Sequence, residues 1–314
     1  MLTIAWIRKN LFSSWLNGFL TVAVGWILYV AFAALLDWAI FQSVWVGDVA
    51  ACHDAGQGGA CWAAIVHNYR FMLFGAYPYA EQWRPALSLA ILCSLIVAFG
   101  WTLNRARASA WLLALAAIWL AGILVGAVLM AGGVFGLTPT PTDQWGGLPI
   151  TVFLAAVGIA GAFPMGILLA LGRRSEKPAV RGLCVAYIEL IRGVPLISLL
   201  FMAAVMLPLF FQGDIGIDKL GRAQIAIVLF TAAYMAEVVR GGLAAVPKGQ
   251  FEAALAIGLG YGQAMRLVIL PQALKLSAPA MVNSFISTFK DTSLVVVVGV
   301  FDLLNATRVA LNDP

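Results

Sequence analysis

About seven stretches of roughly 20 residues, each nearly free of charge, leave this chain one environment in which to fold, because a hydrocarbon core about 30 Å thick takes about that length of apolar helix per crossing. They fall at 15–40, 85–103, 110–130, 148–171, 194–211, 223–238 and 276–289, the last short and polar at its end. Helices are required, since no water in the bilayer core can satisfy open backbone groups, and the runs lack the alternation of barrel strands. With 62% hydrophobic and 11% charged residues, a soluble domain is excluded. The expected fold class is all-α, a polytopic transmembrane helical bundle.

Basic residues set an expected orientation. Arg8 and Lys9 precede the first run, Arg105 and Arg107 follow the second, and Arg173, Arg174, Lys177 and Arg181 follow the fourth. Arg240, Lys248, Arg266 and Lys275 follow the sixth, whereas Asp48, Asp54, Glu81, Asp143, Asp214 and Asp218 lie in the opposite loops. The positive-inside rule puts the N-terminus and the 246–271 segment in the cytoplasm, with Arg70, Arg84, Lys219 and Arg222 as exceptions. The net charge of +5 is then a topological signal and gives no reason to invoke nucleic acid. The first run is too long for the apolar region of a cleaved signal peptide and is expected to stay as an anchor. Cys52 and Cys61 flank a small Gly-rich stretch in the first external loop, where a disulfide is expected in a periplasm, the alternative being two free thiols. Cys93 and Cys184 read as packing residues.

LTPTPTDQWGG at 137–147 denies both helix and strand and divides the chain into an N-terminal three-span part, 1–144, and a C-terminal part, 145–314. The first part carries a large external loop, 42–83, whose aromatics (Trp45, Trp62, Tyr69, Phe71, Phe74, Tyr77, Tyr79 and Trp83) read either as an interfacial belt or as a docking patch. No internal repeat joins the two parts, which weighs against a secondary-transporter architecture. Gly158, Gly161 and Gly166, with Pro164, form small-residue surfaces that let a second helix approach closely. The 180–195 segment is amphipathic and breaks at Gly193 and Pro195, and Glu189 and Arg192 stand three apart, spaced to pair on one face.

Enzyme chemistry is not legible. His53 and His67 have no partners at ligand spacing, so no metal site is expected, and there is neither a nucleophile elbow nor a phosphate-binding loop. The polar segment VPKGQFEAALAIGLGYGQAMRLVILP at 246–271 predicts a short helix over 250–259. Phe251, Leu255 and Leu259 would form its apolar stripe, with Gly249 before it and Gly258 and Gly260 ending it. A second helical piece over 261–270 leads to Pro271, which starts or kinks the next span. Such a helix either seats in a groove of a cytosolic partner or lies on the membrane surface.

Within that segment Glu252-Ala253-Ala254, Gly258, Leu270 and Pro271, with Val268 where Ile is usual, resemble the EAA loop of ATP-binding-cassette importer permeases. The likeness extends over 145–304 and points to the polar amino-acid uptake branch through AYMAEVVRGGLAAVPKGQFEAALAIGLG, LPQAL and FISTFKDTSLVVVVGVFDLL. The N-terminal extension and its loop ending YPYAEQWRP are similar to M-type permeases of general L-amino-acid importers of Gram-negative bacteria. The resemblance implies a type I importer permease fold in the inner membrane, forming half of a translocation pathway. It also implies a cytosolic ATPase dimer that binds ATP and Mg, a second homologous permease and a periplasmic amino-acid-binding protein. No cofactor is expected in this chain. Gly249, Phe251, Glu252, Ala253, Ala254, Leu255, Gly258 and Leu259 would be the ATPase-coupling residues. Two other readings remain: an ion-gradient-driven transporter or channel, and a scaffold subunit.

Intramembrane charges are costly and should face a cavity or one another. Glu237 stands three before Arg240, and Lys290 and Asp291 sit beside Thr288, Thr292 and Ser293 in TFKDTS. These residues, with Asn283 and Ser284, are candidates for the substrate pathway, the alternative being an ion pair and hydroxyl cap at a helix break. The 294–304 stretch, interrupted by Asp302, is too short to cross, and the resemblance leads one to expect a further span beyond Pro314.

Overall fold

The computed structural model describes residues 4–47, 52, 58–103, 109–210 and 216–312. Among these, the only β pairings are isolated bridges, and the remaining regular secondary structure is helical. Arg105, Arg107, Asp48, His53, Asp54 and Asp214 lie outside the described residues. The helices are α1 Ile4–Asn10, α2 Trp15–Leu36, α3 Trp62–Phe74, α4 Trp83–Leu103, α5 Ser109–Ala131, α6 Gly147–Arg173, α7 Pro178–Gly193, α8 Leu196–Phe210, α9 Lys219–Ala245, α10 Lys248–Ala256, α11 Tyr261–Val298 and α12 Leu303–Asn312. Among the described residues five helical stretches are long and apolar enough to cross a membrane, or six if α7 and α8 count as one broken span, against the seven runs expected; α4, over the 85–103 run, is not one of them.

The chain forms two compact units, residues 1–69 with 309–314, and residues 70–308. In the smaller unit α2 is apolar on every side with none of its residues buried, as expected of a helix solvated by lipid. Ser14 caps it by accepting from the Asn17 amide at 3.2 Å. A disulfide joins Cys52 to Cys61 with Cα atoms 5.8 Å apart. Around it the Trp62 indole donates to the Ala39 carbonyl at 2.7 Å and stacks on Trp45 with centroids 5.8 Å apart.

In the larger unit α9 is the central helix, with α6 and α11 against it along most of its length. The glycines of α6 explain the closeness. A Cβ at Gly158 would lie 3.0 Å from Ile227 Cγ2, one at Gly161 3.0 Å from Val228 Cγ1, and one at Gly166 2.7 Å from Met235 Cβ. The helices therefore run parallel with their surfaces interlocked, as the small-residue spacing implied. Gly166→Val is expected to overpack this seam by about 1–3 kcal/mol. A melting temperature in detergent equal to the parent's would show that α6 and α9 separate without cost.

The α7–α8 pair bends by 102°. Pro195 has no amide to continue α7, and Val194 takes the extended conformation (φ −111°, ψ 134°) imposed on a residue before proline. Two more prolines sit in helices that widen before them. Met202–Met206 and Met265–Ile269 are π-helical, with the amides of Leu207 and Leu270 reaching back five residues to the carbonyls of Met202 and Met265, each just ahead of Pro208 or Pro271. At Pro271, expected to start or kink a span, α11 continues through a wide turn that absorbs the missing donor. The last span is correspondingly longer than the 276–289 run.

Three further corrections concern polar groups and a thiol. Asp302 is not merely an interruption. It is 2% exposed and caps α12, its carboxylate accepting from the Leu304 and Asn305 amides at 3.2 and 3.1 Å after a turn at Gly299 (φ +81°). Arg84 is no stray external cation, for it is fully buried. It donates from Nε to the Leu129 carbonyl at 2.7 Å and from Nη1 to the Thr138 carbonyl at 2.9 Å, with Glu81 Oε2 at 3.6 Å. The Tyr77 hydroxyl donates to the Met130 carbonyl at 2.9 Å, so two side chains satisfy orphan carbonyls at the end of α5. Burial pushes the Tyr77 phenol above its ordinary value, against the opposing pull of Thr140 and Arg84, which keeps that donor protonated. Cys93, read as a packing residue, is exposed on α4.

Candidate functional site

The 246–271 segment folds as a short helix held beneath the bundle by one of its faces. Val246 and Pro247 leave α9 in an extended conformation and α10 begins at once. Ala254 is 3% exposed, and Phe251 packs on the core cluster of Met235, Val239, Leu243 and Met265 and meets the Tyr261 ring edge-on at 5.7 Å. Glu252 and Ala253 face outward, as do Leu255 at 45% and Ile257 at 77% exposure. The expected stripe of Phe251, Leu255 and Leu259 is therefore not one surface. The helix stops at Ala256, so Leu259 is out of phase with it and partly buried, while Phe251 points into the bundle. Gly249 is exposed with open space around it. Gly258 closes the helix at φ +86°, its amide donating to the Leu255 carbonyl at 2.9 Å, a conformation suited to glycine.

Near the same end of the bundle the ends of α6, α7 and α9 share a charge network. Glu237 accepts from Arg173 Nη1 at 2.6 Å and from Arg240 Nε at 2.9 Å, with Arg192 Nη1 3.9 Å away. Arg173 also reaches Glu189 at 3.0 Å, and the Arg192 guanidinium lies over the Tyr234 ring at 5.4 Å. The pairing of Glu237 with Arg240 follows from their spacing. Glu189 and Arg192, however, do not pair with each other; each turns to a neighbouring helix, so the carboxylates and guanidiniums tie three helices rather than one face of α7.

Further along α11 the hydroxyls stay local. Thr292 donates to the Phe289 carbonyl at 2.7 Å and Ser293 to the Lys290 carbonyl at 2.9 Å. Lys290 is exposed and Asp291 partly buried, and neither has an ion-pair partner among the described residues. Asn283 is exposed; Ser284 is partly buried and lends its carbonyl to Thr288 at 3.0 Å, whose hydroxyl meets that of Thr231 on α9 at 3.3 Å. Because α11 runs antiparallel to α9, this contact places Glu237 six residues to one side and Lys290 two to the other, about 12 Å apart along the axis. The expected pathway residues thus form two separate groups. Ile257 and Tyr261, the most exposed large apolar side chains around Gly258, were missed; an isoleucine beside a turn glycine in a polar segment was the available signal.

Residues 162–312 match the profile of the binding-protein-dependent transport system inner membrane component. The chain is 50% identical over 309 residues to the inner membrane amino-acid ABC transporter permease protein YhdY of Escherichia coli (strain K12), covering 98% of this chain and 83% of that protein. It is 38% identical to the glutamate/glutamine/aspartate/asparagine transport system permease protein BztC of Rhodobacter capsulatus, covering 96% and 83%. A crystal structure of an amino acid ABC transporter with histidines is similar at 33% identity and a TM-score of 0.47, over 52% of this chain and 74% of that one.

Proposed function

From membership in the binding-protein-dependent transport system inner membrane component family, to which this chain belongs, we propose that it is the permease subunit of an ATP-driven amino-acid importer and that α10 couples it to a cytosolic ATPase. One observation carries the reading: α10 is clamped to the bundle by Phe251 and Ala254 while Glu252, Leu255 and Ile257 stand free between two membrane-spanning helices. A rigidly held helix with an exposed apolar and acidic edge suits a groove in a second protein and passes on the movement of that groove. Relatives that match nearly the whole of this chain carry names of amino-acid permeases, one of them for glutamate, glutamine, aspartate and asparagine, which supports a polar amino acid as cargo.

In this reading ATP and Mg are held by the partner ATPase dimer, a second homologous permease supplies the other half of the pathway, and a periplasmic binding protein delivers the amino acid. Residues 1–144 are an extension to a permease core at 145–314, and the N-terminus is cytoplasmic. ATP binding draws the partner subunits together, carries α10 with them and opens the bundle outward; hydrolysis resets it. ATP must favour the outward state by differential interaction, because a ligand bound equally in both states shifts nothing. The network around Glu237 stands at the cytoplasmic mouth, with Asn283 and Ser284 of α11 near its level, and Lys290, Asp291, Thr292 and Ser293 are the pathway candidates nearer the outside.

Glu252→Lys reverses the charge on the free edge, and Gly258→Asp forces a side chain onto a left-handed turn. Each is expected to abolish uptake while leaving the protein inserted, and each should release the ATPase on mild-detergent purification. Normal uptake by both variants would overturn the coupling role. Uptake by the chain alone in liposomes, lost on collapsing an ion gradient, would favour the gradient-driven alternative.

A further inference from the structure

α10 touches α11 on both sides of its wide turn. Upstream, Phe251 packs against Tyr261 at 5.7 Å. Downstream, the Gln272 side-chain amide donates to Gln250 Oε1 on α10 at 3.1 Å and to the Val268 carbonyl at 3.0 Å. Between them lie the five π-helical residues Met265–Ile269 and Pro271, which lacks an amide for the ladder. This stretch of the helix can bend, because its ladder is widened and Pro271 leaves one backbone bond unmade. A displacement of α10 would bend that turn and stop there unless something crossed it.

We propose that the Gln250–Gln272 amide pair is that crossing: a strut bracing α10 to the membrane-spanning part of α11, which makes Gln272 a positioning residue for energy coupling. The proposal rests on the coupling role given to α10 above. It makes the ratio of amino acid imported to ATP hydrolysed, rather than either rate alone, the sensitive quantity.

The test uses the complete complex, reconstituted in proteoliposomes with its ATPase, second permease and binding protein, with radiolabelled L-glutamine and L-glutamate as probes and phosphate release measured in parallel. Gln272→Leu and Gln250→Leu are each expected to lower the import-to-hydrolysis ratio about fivefold, the scale of one lost hydrogen bond, while hydrolysis continues. Gln272→Lys keeps a donor within reach of both oxygens and Gln250→Glu keeps the acceptor, so both should restore the ratio; a packing role would not discriminate in this way. An unchanged ratio in the leucine variants, or import and hydrolysis falling together, would overturn the strut. A parent complex whose import does not depend on ATP would instead overturn the underlying coupling role.

Discussion

Replacing Glu237 with Gln is expected to stop transport and to destabilise the protein by about 2 kcal/mol. Removing the carboxylate leaves Arg173, Arg192 and Arg240 facing one another where Glu237 is only 17% exposed. Breaking a buried pair costs about 3–5 kcal/mol, and the 25–45% exposure of the arginines reduces that through solvent screening. The discriminating measurement is a double-mutant cycle. Arg173→Gln added to Glu237→Gln should recover about half of the lost stability, because the surplus positive charge falls. Strictly additive losses would show that the network is a set of independent charges with no shared energy.

Arg84→Met is expected to be the most damaging single change outside the 246–271 segment, at about 2–3 kcal/mol, since it takes the donor from the carbonyls of Leu129 and Thr138 and the partner from the partly exposed Glu81. Arg84→Lys should fall between parent and Met, because an ammonium keeps the charge but cannot reach several acceptors with a rigid fork. Fluorescence-detected size-exclusion after heating reads both. A Met variant melting within a few degrees of the parent would mean that the loop after α5 holds itself together.

The spans were legible because lipid solvation writes a signal no tertiary contact can reverse: about 20 apolar residues crossing as helix. The Gly158, Gly161 and Gly166 seam was legible for a related reason, since only a close neighbour explains small residues recurring on a buried helix. The bend at Pro195 followed from backbone chemistry alone. Arg84 was not legible, because counting charges treats every cation as solvated, and its acceptors lie 45 or more residues away. The faces of α10 were misread for a different reason. A spacing of four assumes one unbroken helix, whereas Gly258 ends it, and Phe251 turns inward onto the core cluster that also buries Met235 and Met265. In the candidate pathway, spacing found the Glu237–Arg240 pair but not its ties to α6 and α7, which depend on how three helix ends converge.

The glycine seam has a mechanical corollary. Backbones that interlock at van der Waals distance cannot slide past one another without lifting side chains out of their slots, so α6 and α9 behave as a single beam. Any rocking of this subunit is then expected where the backbone has surrendered ladder bonds outside the seam: the elbow before α8, the widened turns ahead of Pro208 and Pro271, and Pro279 within α11. Substitutions in the beam would be felt as loss of folded protein, and substitutions at the joints as an altered stroke in a protein that still folds.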